Sequence, residues 1–325
     1  MPIATPLTAL LGIKHPVLLA PMDVLAGARL TMAVSSAGGL GILGGGYGDR
    51  AWLEAETAKL GGFQDPFAIG FITWSLSKRP DLLDIALAAR PRAIMLSFGD
   101  PAPFAPRIRD AGALLICQVQ SEDMAKHALD AGANILIAQG TEAGGHGASR
   151  TTMDIVPAII DLAAGRVPVV AAGGIADGRG LAAMMMLGAC GVLMGTRFYA
   201  SVEADGADEA KRRICAAESG NSVRGIIFDL SRNNVWPAPF TGRCLINDHA
   251  RRWMGREVEL MQQVSTVAAE YEIAKASGNF DVAAVIAGES VGLIHDIPPA
   301  AEIVERIATE AEQLLLGRRN FVAAA

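Results

Sequence analysis

Along the chain, short runs in which every side chain is apolar alternate with longer segments whose apolar residues recur every three to four positions. The first pattern suits a strand buried on both faces and the second a helix laid over a sheet, so their alternation predicts repeated βα units. Eight strands are predicted, over 17–22, 40–43, 67–71, 93–97, 114–119, 135–139, 169–172 and 191–194. Helices are predicted between them over 29–37, 50–60, 80–89, 104–111, 122–131, 153–164 and 178–187, several opening on a cap such as Asp49, Ser121 or Asp177. Ala-Gly or Leu-Gly pairs at Ala37-Gly38, Ala111-Gly112, Ala131-Gly132 and Leu187-Gly188 mark glycine helix stops before tight turns into the next strand.

Strands that are apolar throughout are expected where helices cover one face and barrel-filling side chains occupy the other, and eight such units point to a closed (β/α)8 TIM barrel. Beyond the eighth strand, 201–288 is richer in charge and predicts a mainly helical insertion. The segment 298–316, with Ile303, Val304, Ile307, Leu314 and Leu315 on one face, is expected to supply the last barrel helix. The predicted division is a barrel over 1–200 and 289–325 and a substrate-side subdomain over 201–288. A dinucleotide fold is disfavoured, because Ala20-Pro21-Met22-Asp23 follows the first strand where a G-x-G-x-x-G turn would be needed.

Composition narrows the setting. An apolar fraction of 51 % with only 5 % aromatic residues implies a large aliphatic core. A net charge of −6 without a basic block speaks against a nucleic-acid partner. No apolar stretch reaches the roughly 18 to 20 residues that cross a bilayer, so no membrane partner is expected. The first eleven residues lack the pattern of a secretory signal, which makes a cytoplasmic location the expectation. Cys117, Cys190, Cys215 and Cys244 are widely spaced, and no metal site is expected. A homo-oligomer is compatible with the composition.

In a barrel of this kind, chemistry is sought in loops at the C-terminal ends of the strands. Gln139-Gly140-Thr141-Glu142-Ala143-Gly144-Gly145-His146-Gly147 follows the sixth strand. Its glycines allow close approach of backbone to a ligand, and His146 can donate a hydrogen bond or move a proton, which makes it the catalytic candidate. His15, His127, His249 and His295 have no such setting and read as structural or exposed. After the seventh and eighth strands come Gly173-Gly174-Ile175-Ala176-Asp177-Gly178 and Met194-Gly195-Thr196-Arg197. Backbone N–H groups freed by glycine, with a threonine hydroxyl, suit an oxyanion such as the phosphate of flavin mononucleotide (FMN). Met22 offers a soft surface for a planar ring. Met184, Met185 and Met186 read as helix packing, while Thr73, Trp74, Trp236 and Trp253 are candidates to line an apolar pocket.

Ala20-Pro21-Met22, Ala37-Gly38-Gly39-Leu40-Gly41, Glu142-Ala143-Gly144-Gly145-His146, Ala172-Gly173-Gly174-Ile175-Ala176-Asp177-Gly178, Met194-Gly195-Thr196-Arg197-Phe198 and Gly292-Leu293-Ile294-His295-Asp296-Ile297-Pro298 together resemble, in order and spacing, the nitronate monooxygenases, also called 2-nitropropane dioxygenases. The resemblance implies FMN held by Ala20, Pro21, Met22, Gln139, Gly144, Gly145, Gly173, Gly174 and the Leu193, Met194, Gly195, Thr196 turn. It implies His146 on the substrate side of the flavin, and a nitronate or nitroalkane oxidised with O2 to a carbonyl compound and nitrite. Many members have an asparagine after the third strand, where this chain reads Gly70-Phe71-Ile72-Thr73-Trp74. Two other readings share these loops. One is an NAD(P)H-dependent flavin reductase acting on a quinone or an enoyl thioester, and the other is a non-catalytic barrel that binds FMN or phosphate.

Overall fold

The computed structural model describes residues 3–317. Residues 1–2 and 318–325, assigned to the barrel from the sequence, lie outside them. Among the described residues, eleven strands occur in chain order: β1 Val17–Leu19, β2 Gly41–Gly44, β3 Phe67–Ile72, β4 Ala93–Ser97, β5 Leu114–Val119, β6 Ile135–Gln139, β7 Gly145–Gly147, β8 Val169–Ala172, β9 Val192–Met194, β10 Ser222–Gly225 and β11 Thr241–Leu245. Eight of them form one parallel sheet in the order β1-β9-β8-β6-β5-β4-β3-β2. A parallel bridge between Leu18 and Leu40 closes the ring, with Leu19 N–H donating to Leu40 O at 2.9 Å and Leu40 N–H to Val17 O at 3.0 Å. The fold is a (β/α)8 barrel, and all eight barrel strands fall where the apolar runs predicted them.

Alternation along each strand explains why those runs are apolar throughout. Leu18, Ile42, Ala68, Met95, Ile116, Ile137, Val170 and Leu193 point inward and fill the barrel as one cluster. Their neighbours, among them Val17, Leu43, Ile69, Ile94, Leu115, Leu136 and Ala171, join the helices in the outer core. The same inward parity continues to Ser97, Gln118 and Gln139 at the C-terminal ends of β4, β5 and β6. An apolar interior therefore ends in a polar mouth.

The helix Ala300–Gly317 lies against the helices Ala28–Ser36 and Gly178–Met186 and completes the outer layer. Gly178 is required at that contact, because a Cβ there would lie 2.6 Å from the Ala311 nitrogen. The first strand is shorter than expected: Pro21 has no N–H for the ladder, and Met22 instead caps the 3-10 turn Asp23–Leu25.

Between the eighth barrel strand and the last helix the chain is mainly helical, over Asp208–Ala216, Ile227–Ser231, Asp248–Trp253, Glu257–Gln262 and Val264–Ser277. It also holds two strands that the apolar pattern does not reveal. β10 and β11 pair antiparallel, and β11 pairs in turn with β7, making a three-stranded sheet above the barrel mouth. Their sequences, Ser-Val-Arg-Gly and Thr-Gly-Arg-Cys-Leu, lack apolar alternation, and β7 lies inside the glycine-rich loop, so periodicity carries no signal for any of the three. Among the described residues, no helix is long and apolar enough to cross a membrane.

Candidate active site

Strand register gathers the predicted cofactor residues. Leu19 pairs with Met194, Ala172 with Leu193, and Gln139 with Ala172. Ala20-Pro21-Met22, the Leu193–Thr196 turn, Gly173-Gly174 and Gln139 therefore stand side by side at the mouth. Gly173 and Gly174 have φ of 108° and 73°, a left-handed backbone that favours glycine. The N–H groups of Gly173, Gly174, Ile175, Gly195 and Thr196 have no acceptor among the described residues. Thr196 Oγ1 accepts from Gly288 N–H at 2.9 Å, which leaves its own proton to donate.

The loop after β6 is tied down rather than loose. The half-buried Arg224 guanidinium donates to Thr141 O at 2.9 Å, to Ala143 O at 2.8 Å, to Gly145 O at 3.3 Å and also to Thr241 O. Burial, reinforced by the neighbouring Arg243, pushes Arg224 down to about 10. Arg243 donates to Thr141 O at 2.9 Å and pairs with Glu289 at 2.9 Å. Glu142 accepts from Thr152 N–H and Oγ1 at 2.9 and 2.7 Å. Gly144 and Gly145 thus serve the loop's packing as well as any ligand: a Cβ on Gly144 would lie 2.7 Å from the Ala287 carbonyl carbon, and Gly145 has φ of 71°.

His146 sits on β7 opposite Gly242 and is buried. Its Nε2 lies 2.9 and 3.1 Å from the two carboxylate oxygens of Asp229, which is itself paired with Arg232 at 2.6 Å. Nδ1 has no hydrogen bond among the described residues. Burial lowers the His146 pKa from the ordinary histidine value, and the Asp229 carboxylate opposes that shift. The indole of Trp236 stacks on the imidazole, with centroids 3.5 Å apart and planes 7° from parallel. From below, Gln139 Nε2 donates to His146 O at 3.1 Å while its Oε1 accepts from Gln120 Nε2 at 2.7 Å.

Trp74 and Phe98 meet Trp236 edge-on at 5.3 and 5.1 Å, and Trp236 Nε1 donates to Tyr47 Oη at 3.2 Å. Trp74 thus stands beside Trp236, and Thr73, the residue before it, follows the end of β3 with a buried side chain. Trp253 does not join them, because it packs with Ile227, Leu260 and Val267 in a separate core of the insertion. His127 is half exposed beside Asp100, His15 is buried without a partner, His249 bonds Ser231 and His295 is exposed.

Asp229, Arg224 and Gln120 were missed in the sequence. Only Asp229 carries a signal there, as the single charge in Ile226-Ile227-Phe228-Asp229-Leu230.

The mouth has a chemical demand for a planar polar ligand. Thr73 Oγ1, Trp74 Nε1, Ser97 Oγ and Gln120 Oε1, at the ends of β3, β4 and β5, are buried without partners. Each such group costs about 1–3 kcal/mol when left unpaired. With the free N–H groups near Gly173 and Gly195, these residues fit a flavin phosphate at one side and a ring with donors and acceptors at the other. Among the described residues, no group of three His, Cys, Asp or Glu side chains could hold a metal.

Comparison with known proteins supports this architecture. The nitronate monooxygenase family model matches residues 4–73 and 72–310. An octahydro-indene-carboxyl-CoA dehydrogenase of Mycobacterium tuberculosis is 31 % identical, over 96 % of this chain and 97 % of its own length. A nitronate monooxygenase of Pseudomonas aeruginosa is 31 % identical, over 93 % of this chain and 98 % of its own. FabK from Thermotoga maritima superposes with a TM-score of 0.87 at 31 % identity, over 98 % of this chain and all (100 %) of that one.

Proposed function

Starting from the chain's membership, since it belongs to the nitronate monooxygenase family, we propose that it is an FMN-dependent oxidoreductase that oxidises nitroalkanes and nitronates with O2 to carbonyl compounds and nitrite. The observation that carries this reading is the buried His146–Asp229 pair at the barrel mouth. Ala20, Pro21, Met22, Gln139, Gly144, Gly145, Gly173, Gly174, Leu193, Met194, Gly195 and Thr196 would hold the FMN, and Thr73, Trp74 and Trp236 would wall the substrate. When bound there, the flavin would supply the redox chemistry between substrate and O2.

The protein's part is proton handling and exclusion of water. With Nε2–H donated to Asp229, the lone pair of His146 lies on Nδ1. A lowered pKa keeps that ring neutral, so Nδ1 can take the acidic α-proton of a nitroalkane. A nitronate has already lost this proton and needs the imidazole only for orientation. Trp236, Trp74 and Phe98 shield the pair from water. Residues 201–288 act as the substrate-side subdomain, because Asp229, Trp236 and Phe240 all come from them.

A second reading is an NAD(P)H-dependent reductase of a quinone or an enoyl thioester. It is favoured by the apolar aromatic wall and by the likeness to a CoA-thioester dehydrogenase. Anaerobic rapid mixing of the flavin-loaded protein separates the two. Change in flavin absorbance on adding propane-2-nitronate supports the first reading, and bleaching by NADH or NADPH without response to nitronate replaces it with the second. A flavin that responds to neither leaves the non-catalytic barrel.

A further inference from the structure

We propose that the cavity running from the barrel mouth across the ends of β4 and β5 to the helix Glu122–Asp130 binds an uncharged hydrocarbon portion of the substrate, which makes the preferred substrate a long-chain or alicyclic compound. This rests on the reading of His146 as the group that meets the reacting carbon.

The cavity has a volume of about 360 Å³. At roughly 30 Å³ per water-sized group it holds on the order of a dozen non-hydrogen atoms. A short nitroalkane would leave most of it empty. Its inner end adjoins the site: Phe98 and Phe240 line it, Phe98 lies 5.1 Å from Trp236, and Trp236 covers His146. Gln120, hydrogen-bonded to the glutamine that holds His146 O, lines it as well.

The walls are suited to hydrocarbon. Leu96, Cys117 and Val119 come from the outward faces of β4 and β5, and Met124 faces them from the helix with an adaptable side chain. Burial pushes the Cys117 thiol up to about 12, so it stays neutral and behaves as an apolar group. The outer end is polar and already ion-paired instead. Asp100, paired with His127 at 2.6 Å, and Asp123, paired with Lys126 at 3.0 Å, stand there. A carboxylate or phosphate tail would have to compete with these two carboxylates for their basic partners, whereas an alkyl or ring segment fills the cavity and stops short of them.

The test uses flavin-loaded protein with primary nitroalkanes from nitroethane to 1-nitrohexane, and 1-hexanol as a non-reacting probe. We expect kcat/KM to rise about fourfold with each added methylene, and 1-hexanol to bind saturably by calorimetry. Ala128→Phe fills the cavity from the helix side. It should abolish hexanol binding and the advantage of the hexyl compound while leaving nitroethane turnover unchanged. Met124→Trp fills the same space if Ala128→Phe does not fold. A flat chain-length series, or a filled cavity that slows nitroethane as much as nitrohexane, overturns the assignment. If no nitroalkane is turned over, saturable hexanol binding lost in the filled variants upholds the cavity while the nitroalkane reading fails, and absence of hexanol binding overturns the cavity assignment itself.

Discussion

His146 Nε2 lies 2.9 Å from a carboxylate oxygen of Asp229, a residue 83 positions further along the chain. The contact exists because β11 pairs with β7 and draws the helix Ile227–Ser231 over the barrel mouth. Removing the charge while keeping the shape, as in Asp229→Asn, takes away the interaction that opposes burial at the imidazole. The ring becomes a weaker base. Turnover of a neutral nitroalkane should fall on the order of a hundredfold, within the usual range for general-base catalysis, and turnover of the matching nitronate much less. Steady-state assays with 2-nitropropane and propane-2-nitronate check this, and equal losses with both would make Asp229 a packing residue only.

The pH profile follows from the same pair. His146 acts when neutral, and burial holds its pKa below the ordinary 6.5. For a neutral nitroalkane, kcat/KM should therefore rise with pH, with a midpoint below 6.5, and then level off. Trp236→Ala uncovers one face of the ring and weakens that burial, so the midpoint should move upward. A wild-type midpoint above 6.5 contradicts the assignment of His146 as a buried base.

How much of this could be read from the chain depends on the range of each interaction. The barrel strands declare themselves because each is buried on both faces, so Ile135–Gln139 or Val169–Ala172 needs no knowledge of its neighbours. Glycine and histidine at the strand ends likewise announce a mouth that can bind a ligand. Asp229, Arg224 and Gln120 are different. Their importance lies in partners brought by the ring closure and by a three-stranded sheet without apolar rhythm. Trp253 shows the converse: an aromatic residue in the insertion belongs to that insertion's own core.

Acid should destabilise the fold through its buried histidines, two of which, His15 and His249, are not part of the chemistry. His15, like His146 and His249, is held below the ordinary 6.5 by burial. The unfolded chain protonates these rings first as pH falls, so stability declines on going downward from about 6.5. Both ring nitrogens of His15 are buried and unpartnered. His15→Phe removes that burden and should raise stability by about 1 kcal/mol at neutral pH, with a shallower loss under acid. Urea denaturation at pH 7 and pH 5.5 measures both effects, and a destabilised His15→Phe would argue for a partner to the ring in solution.

Arg224 gives the sharpest test of how the His146 loop is held. One planar guanidinium reaches Thr141 O, Ala143 O, Gly145 O and Thr241 O, which an ammonium cannot do from a single point. Arg224→Lys has three N–H groups for four carbonyls, one of which, Thr141 O, keeps Arg243 as a donor, so it should leave about one carbonyl short, at a cost of about 1–3 kcal/mol in folding stability. It should also lower kcat, since Gly145 adjoins His146. Arg224→Met discards the half-buried charge together with its hydrogen bonds, and because partial burial already disfavours that charge, it should be no less stable than the lysine variant. Thermal denaturation and nitroalkane turnover of the two variants decide the matter: a lysine variant with unchanged Tm and kcat would show that the loop holds its shape without the guanidinium.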